Sequence, residues 1–159
     1  GKSGYAAKLA KKYSKKVAFI ATAEAKDSEM KERIKLHKKT RPKHWRTFEE
    51  AKDIALLLGK IGNKFECVIV DCLTLLVSNL LLQGLKPKLI ENNVNKLVKC
   101  LKRIPGRAII VSNEVGLGIV PQSKLGRHFR DVTGRINQFV ARESDELYFM
   151  VSGIPWKIK

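Results

Sequence analysis

The first three residues of the chain, Gly1-Lys2-Ser3, match the end of the P-loop pattern G-x-x-x-x-G-K-[ST]. In such loops the lysine reaches the β- and γ-phosphates of a nucleotide, and the hydroxyl binds Mg²⁺. A P-loop opens a helix, and apolar residues recur at helical spacing over residues 4–13. A chance Gly-Lys-Ser in a lysine-rich chain is the alternative, so further residues must support a nucleotide site.

Asp71 is a second candidate, because it ends the apolar run Cys67-Val68-Ile69-Val70, which is typical of a buried strand. In P-loop enzymes a carboxylate at a strand end helps to hold Mg²⁺ near the P-loop hydroxyl, which here is Ser3. Alternatively, Asp71 only caps the helix that follows it. Taken with Lys2, these residues predict a phosphate site.

Two histidines, His37 and His44, lie in the basic segment of residues 33–47. Imidazole is partly unprotonated and nucleophilic near neutral pH, and surrounding cations would neutralise a phosphate, so either histidine could attack phosphorus. The alternative is a solvated histidine on a basic helix, and residue chemistry alone favours it. His128 lies between a basic and an aromatic residue, which favours a surface role.

The glycine-containing segment Asn113–Pro121 follows an apolar run. Glycines there could let the backbone approach a ligand, and Glu114 could act as a base or a metal ligand. Equally, the glycines could only supply turns.

Apolar runs and helical periodicities alternate along the chain. The sequence predicts strands over residues 17–21, 67–71, 107–112 and 147–151. It predicts helices over residues 4–13, 26–39, 72–82, 88–103 and 125–140. A further helix is predicted to open at the capping-box pattern Thr47–Glu50 and to end at Gly59. This alternation predicts one α/β domain over residues 1–159, with a mostly parallel sheet flanked by helices and ligands bound beyond the carboxyl ends of the strands. Residues 156–159 have no assigned element.

The composition is strongly basic, with 32 Lys and Arg against 15 Asp and Glu and a net charge of +17. This suits polyanionic partners, but the lysines are spread among acids, and the 7% of aromatic residues are not interleaved as stacking platforms for nucleic acid. The three cysteines fit neither a zinc pattern nor a disulfide framework, which favours the cytoplasm. The longest apolar stretch is too short to span a bilayer.

Four segments of the chain resemble the bifunctional adenosylcobinamide kinase / adenosylcobinamide-phosphate guanylyltransferase family of cobalamin biosynthesis. They are RIKLHKKTRPKHWRT (residues 33–47), VIVDCLTLLVSNLL (68–81), SNEVGLGIVP (112–121) and the run from RHFRD to the end (127–159). The resemblance implies a RecA-like P-loop NTPase fold and a homotrimer. It implies that ATP or GTP phosphorylates the aminopropanol hydroxyl of adenosylcobinamide. GMP from GTP is then transferred to that phosphate through a guanylyl-histidine, giving adenosylcobinamide-GDP and pyrophosphate.

The resemblance also implies roles by position. In the pattern R-I-x-x-H-x-x-x-R-P-x-x-W the guanylylated histidine matches His37 and not His44, and Lys2 matches the catalytic P-loop lysine. Glu49 matches a nucleotide-binding acid, whose carboxylate could accept hydrogen bonds from guanine N1 and N2. The full nucleotide-binding set is Gly1, Lys2, Ser3, Ala21, Thr22, Ala23, Lys38, Lys39, Thr40, Arg41, Glu49 and Asp71, with Mg²⁺ at Ser3 and Asp71.

Members of this family carry a strand and a glycine-rich segment before the Gly-Lys-Ser, so the first strand and the start of the P-loop are expected to be absent from this chain. Two other functions stay open at this point. One is a P-loop kinase or nucleotidyltransferase that keeps a single activity or acts on another hydroxyl. The other, more distant, is a basic nucleic-acid-binding module, although neither a nucleic-acid partner nor membrane insertion is expected.

Overall fold

Four parallel strands form the main sheet in a computed structural model of the chain. They are β1 (Val17–Ala21), β2 (Arg46–Glu49), β3 (Cys67–Asp71) and β4 (Arg107–Val111), and their order across the sheet is β2-β1-β3-β4. The structure describes residues 1–25, 27–39 and 41–159, and for Arg33, His37 and Gly62 it describes the backbone alone.

The register of the sheet aligns the strand ends at one edge. Ala21 lies opposite Glu49 on one side and opposite Asp71 on the other, and Asp71 lies opposite Val111. Because all four strands are parallel, the residues that follow them emerge at that same edge, where ligands bind in open α/β sheets. The predicted parallel sheet is confirmed.

Six α-helices accompany the strands in the described part of the chain. They are α1 (Lys2–Tyr13), α2 (Ser28–Lys39), α3 (Ile54–Ile61), α4 (Leu73–Leu82), α5 (Pro87–Arg103) and α6 (Lys124–Glu143). The predicted helices agree with these except at α3, and the predicted first residue of α2, Lys26, lies outside the described residues. No helix among the described residues is both long and apolar enough to cross a membrane.

The two central strands of the main sheet, β1 and β3, are buried on both faces, as expected for parallel strands between helices. Along β1, Ala18 and Ile20 face a large core that α3, α4, α5 and α6 complete. Val17 and Phe19 face a smaller core, which contains Ala6 and Ala10 of α1 and the indole of Trp45. Successive side chains of β1 therefore point to opposite faces of the sheet and pack in two separate cores.

The prediction that Thr47–Glu50 opens a helix is wrong. Residues 46–49 form β2, because β1 offers them a complete parallel ladder that outweighs the local capping pattern. The helix begins later, at Ile54, where the Asp53 carboxylate accepts the Leu56 N–H at 3.1 Å. Gly59, predicted to end this helix, lies inside it.

The predicted last strand exists as β5 (Tyr148–Val151), but it lies outside the main sheet. It pairs antiparallel with β6 (Ile154–Lys157), which includes part of the tail that had no predicted element. Ser152 and Gly153 connect them with φ of 49° and 82°, the positive angles that a tight hairpin turn requires. In the described part of the chain, β4 pairs with β3 alone and is an edge strand.

Candidate functional site

Five of the predicted site residues lie at the carboxyl edge of the main sheet. Ala21, Glu49 and Asp71 are the last residues of three adjacent strands, and Thr22 and Ala23 follow the central one. Residues separated by as many as 50 positions are therefore brought together by the strand register, and the sheet edge is the base of the candidate site.

Thr22 is fully buried, and its side chain bonds the backbone of Cys72, the residue that follows β3. Its hydroxyl donates to the Cys72 carbonyl and accepts the Cys72 N–H, both at 2.8 Å. The Thr22 N–H donates to the Asp71 carbonyl at 3.1 Å. Thr22 thus fixes the peptide that follows Asp71, which orients the half-buried Asp71 at the sheet edge.

Asn79 completes this arrangement from the buried face of α4. Its amide donates to the Thr22 carbonyl at 2.9 Å and to the Ala51 carbonyl at 3.2 Å. Sequence analysis did not assign Asn79 to the site. The available signal was a polar amide inside an otherwise apolar helix, because buried amides need hydrogen-bond partners and so mark polar contacts between elements.

The Gly1-Lys2-Ser3 segment lies at the start of α1, and its role as the end of a P-loop stays a prediction. Gly1 precedes α1, and Lys2 and Ser3 form its first turn, where free N–H groups and the helix dipole favour a phosphate. Gly1 is tightly placed, since a Cβ there would come within 2.9 Å of the Gly153 backbone. A short link joins the end of α1 to the start of β1, so we expect the first turn of α1 to lie toward the carboxyl edge of the sheet.

An open cleft of about 1210 Å³ lies between α2 and the ends of β1 and β2. Its lining includes the predicted residues Ala23, Lys38, Lys39, Arg41 and Glu49. The Lys38 ammonium and the Glu49 carboxylate form an ion pair that connects α2 to β2. The fold therefore gathers five of the twelve predicted nucleotide-binding residues in one cleft.

Two other predicted residues, His37 and Thr40, are neighbours in sequence of residues that line the cleft. His37 lies in α2, between the lining residues Ile34 and Lys38, and its side chain is outside the described residues, as is the whole of Thr40. The assignment of His37 as nucleophile stays a prediction.

Arg41 and Trp45, which line the cleft, each bury a donor that has no hydrogen-bond partner among the described residues. These donors are Arg41 Nη1 and Trp45 Nε1. The Arg41 guanidinium also lies 3.7 Å above the Phe19 ring. Burial lowers the pKa of Arg41, while Asp71 and Glu49 oppose that shift. Arginine stays protonated regardless, so the cleft presents a cation and a neutral N–H without acceptors.

The segment Asn113–Pro121 is held by a polar network rather than left open. Ser112 Oγ donates to Asn137 Oδ1 at 2.7 Å, and Asn137 Nδ2 donates to the Asn113 carbonyl at 2.9 Å. The Glu114 carboxylate accepts the Gly116 N–H at 3.3 Å and caps a short 3₁₀ turn. These contacts give Glu114 a structural role in the loop, in agreement with the turn-forming interpretation.

The cysteine thiols are poor candidates for chemistry. Burial raises the pKa of Cys67 to about 11, and it also raises the pKa of Cys72. The reactive form of cysteine is the thiolate, so both groups are inert near neutral pH. All three cysteines are free, as the sequence predicted.

Comparisons with known proteins converge on one family. The family model described as "Cobinamide kinase / cobinamide phosphate guanyltransferase" matches residues 1–158. The "Bifunctional adenosylcobalamin biosynthesis protein CobP" of Pseudomonas aeruginosa is 42% identical over 159 residues, which cover 100% of this chain and 91% of the relative. Proteins named "Bifunctional adenosylcobalamin biosynthesis protein CobU" are similar as well. The one from Escherichia coli is 39% identical, covering 92% of this chain and 87% of the relative, and the one from Salmonella typhimurium is 37% identical, covering 90% and 86%.

Proposed function

Since the chain belongs to the cobinamide kinase / cobinamide phosphate guanyltransferase family, we propose that it carries out both of these reactions on adenosylcobinamide. ATP or GTP phosphorylates the aminopropanol hydroxyl. GTP then donates GMP to the new phosphate, and the products are adenosylcobinamide-GDP and pyrophosphate. The observation that carries this proposal is the gathering of the predicted guanine-nucleotide residues in the cleft beside α2.

The guanylyl transfer proceeds in two displacements. The His37 imidazole attacks the α-phosphorus of GTP, so that a P–N bond forms while the bond to pyrophosphate breaks. An oxygen of the acceptor phosphate then attacks the same phosphorus, and the P–N bond breaks to return neutral imidazole. The support is positional: residues 34, 35, 38 and 39 of α2 all line the cleft around residue 37.

Cleft side chains supply the charge that this chemistry needs. Lys39 and the Arg41 guanidinium stabilise the negative charge on the phosphate oxygens. Glu49 accepts hydrogen bonds from guanine N1 and N2, which adenine does not present in that pattern. Lys38 now pairs with Glu49, so guanine binding would release its ammonium toward the phosphates. Without a ligand, the ion pair therefore keeps the Lys38 ammonium and the Glu49 carboxylate in the cleft.

The kinase step belongs to the sheet edge and the start of α1. Lys2 binds the transferred phosphate, and the Gly1 and Ser3 backbone extends the N–H array at the helix start. The Ser3 hydroxyl and the Asp71 carboxylate are oxygen donors of the kind that Mg²⁺ prefers. When bound there, Mg²⁺ neutralises phosphate charge. Thr22 holds the peptide beside Asp71, and by resemblance Ala21, Thr22 and Ala23 form a segment around the bound guanine nucleotide.

Two further features belong to the proposal. Assembly as a homotrimer rests on the resemblance alone, and a cytoplasmic location rests on the cysteine usage.

Covalent labelling tests the guanylyl-histidine. With Mg²⁺ and GTP labelled at the α-phosphate, we expect an acid-labile, alkali-stable label that His37→Ala abolishes. His44→Ala is the matched control, because His44 carries the same chemistry a few residues away and does not line the cleft. Label that survives His37→Ala and disappears in His44→Ala would refute the assignment.

The runner-up function, a P-loop enzyme with a single activity, has a separate test. Steady-state assays with adenosylcobinamide and with its phosphate measure the kinase and the transferase reaction independently. Turnover of only one of them would establish this narrower function.

A further inference from the structure

A second, smaller recess lies beside the nucleotide cleft. Its volume is about 420 Å³, and its lining is Lys11, Ser14, Lys15, Arg41, Pro42 and His44. Lys11 lies in the last turn of α1, Ser14 and Lys15 follow that helix, and the other three come from the segment after α2. Two parts of the chain therefore place three cations and an imidazole around one concave surface.

The positive charge of this recess is only partly neutralised within the described residues, where Asp71 and Glu49 interact with Arg41. No acidic side chain lines it there, and neither Lys11 nor Lys15 forms an ion pair. Glu66 accepts a hydrogen bond from the lining residue Ser14 at 2.7 Å, and it pairs with Lys16 at 4.0 Å rather than with Lys11 or Lys15. The carboxyl end of α1 adds only about half a negative charge, so the cations dominate.

Arg41 connects the recess to the nucleotide cleft, because it lines both. Its Nη1 is buried without an acceptor, and its guanidinium is fixed against the Phe19 ring. A planar guanidinium presents N–H groups on more than one edge, so it can bond two anions at once. Arg41 is thus placed where an anion in the cleft and an anion in the recess would meet.

The proposed guanylyl transfer brings two such anions together. An oxygen of the acceptor phosphate must approach the α-phosphorus of the guanylyl group, and two unit charges about 4 Å apart repel by roughly 4 kcal/mol at an effective dielectric constant of about 20. Cations around the acceptor offset this repulsion. A phosphate monoester carries close to two negative charges at neutral pH, which suits the charge of the recess.

We propose that the basic recess of Lys11, Lys15 and His44 binds the phosphate monoester of the acceptor, with Arg41 between that phosphate and the guanylyl group. The proposal rests on the proposed function and adds a subsite to it. In the transfer, an oxygen of the bound monoester forms the new P–O bond as the P–N bond to His37 breaks. Lys11 and Lys15 bind the acceptor, and neither takes part in bond making.

The test is the double variant Lys11→Gln/Lys15→Gln, with preformed adenosylcobinamide phosphate as acceptor. The matched control is Lys8→Gln/Lys12→Gln, which removes the same charge from α1 outside the recess. We expect both variants to form the guanylyl-enzyme at the wild-type rate. For the recess variant we expect the acceptor KM to rise about 10- to 100-fold with kcat little changed, as for the loss of two charge-assisted contacts. The control should stay within about twofold.

Other outcomes would contradict either the proposed function or the proposed subsite. Failure of every protein to form a guanylyl-enzyme would contradict the proposed function itself. Normal labelling with an unchanged acceptor KM in the recess variant would overturn the subsite, as would an equal rise in the control. The leaving pyrophosphate is the other source of phosphate charge. An effect confined to GTP–pyrophosphate exchange, with the acceptor KM unchanged, would therefore assign the recess to pyrophosphate and overturn the proposal.

Discussion

The edge of the main sheet and the cleft beside α2 both contain buried polar groups, but they satisfy them differently. At the sheet edge, Thr22 and Asn79 hydrogen-bond to backbone groups of the chain itself. In the cleft, the buried donors Arg41 Nη1 and Trp45 Nε1 have no acceptor among the described residues. The buried polar groups of the sheet edge are thus satisfied by the chain itself, whereas the wall of the cleft keeps two buried donors, and we expect a bound ligand to supply their acceptors.

This difference indicates that the polar groups of the sheet edge position the backbone, whereas those of the cleft bind the ligand. A buried donor without a partner costs about 1–3 kcal/mol, and the acceptors of a bound ligand would offset that cost. We therefore expect substitutions at the sheet edge to lower the stability of the protein. Substitutions in the cleft should mainly lower its affinity for nucleotide.

The largest effect on stability is expected for Thr22→Val. Valine keeps the shape of the side chain but leaves the N–H and the carbonyl of Cys72 buried without their partner, so the free energy of unfolding should fall by about 2–4 kcal/mol. Urea denaturation followed by circular dichroism measures this change.

Thr133→Val is the matched control, because the Thr133 hydroxyl is buried and has no hydrogen-bond partner among the described residues. This variant should be neutral or slightly more stable. Equal losses in the two variants would show that the Thr22 hydrogen bonds contribute nothing specific, and the contrast between the two regions would be lost.

The sequence predicted the elements of the sheet edge but not how they are joined. Apolar runs identified β1 and β3, and the strand-end position of Asp71 followed from them. The contact between Thr22 and Cys72 could not be inferred, because it depends on a parallel register between residues 50 positions apart. For the same reason the sequence predicts the start of a helix where β2 lies, because the local capping pattern is visible in the sequence and the pairing with β1 is not.

The cleft was predictable in a different way. Resemblance to a family supplied Lys38, Arg41 and Glu49, and the fold brings them together. No pattern in the segment predicted that Trp45 would be buried with an unpaired N–H, since burial of an indole depends on the helix packed above it. The recess could not be predicted from the sequence either, because its cations come from two distant segments of the chain. In each segment alone, the pattern is typical of an ordinary solvated surface.

A second prediction tests the cleft through Arg41→Met. Methionine keeps much of the length of the side chain and removes the charge, so nucleotide binding should weaken by about 1.5–3 kcal/mol, or roughly 10- to 150-fold. The unfolding free energy without nucleotide should stay the same or rise slightly, because a partly buried charge without an acceptor is removed. Calorimetric titration with GTP and denaturation of the free protein measure the two quantities.

Arg103→Met serves as the control for Arg41→Met, since Arg103 is an exposed arginine at the end of α5, outside the cleft. It should change neither quantity appreciably. If Arg41→Met destabilised the free protein as strongly as Thr22→Val and left GTP affinity intact, Arg41 would belong with the structural residues.

The smallest expected effect, and the sharpest test of the contrast, is that of Trp45→Phe. Trp45 is only 6% exposed and packs in the smaller core with Phe19, so its ring is structural, whereas its Nε1 has no partner. Phenylalanine retains an aromatic ring and deletes the donor. We expect GTP affinity to fall by about 0.5–1.5 kcal/mol, or roughly 2- to 13-fold, as for one neutral hydrogen bond.

Trp45→Leu separates the two roles of this residue, because it removes the aromatic ring as well as the donor. If Nε1 binds nucleotide, Trp45→Phe should already show the full loss of GTP affinity, and Trp45→Leu should add mainly a loss of stability from poorer packing. Trp156→Phe, on the exposed hairpin strand β6, should alter neither measurement. An unchanged GTP affinity in Trp45→Phe would mean that the Trp45 Nε1 donor does not contact the ligand. The contrast between the two regions would then depend on Arg41 alone.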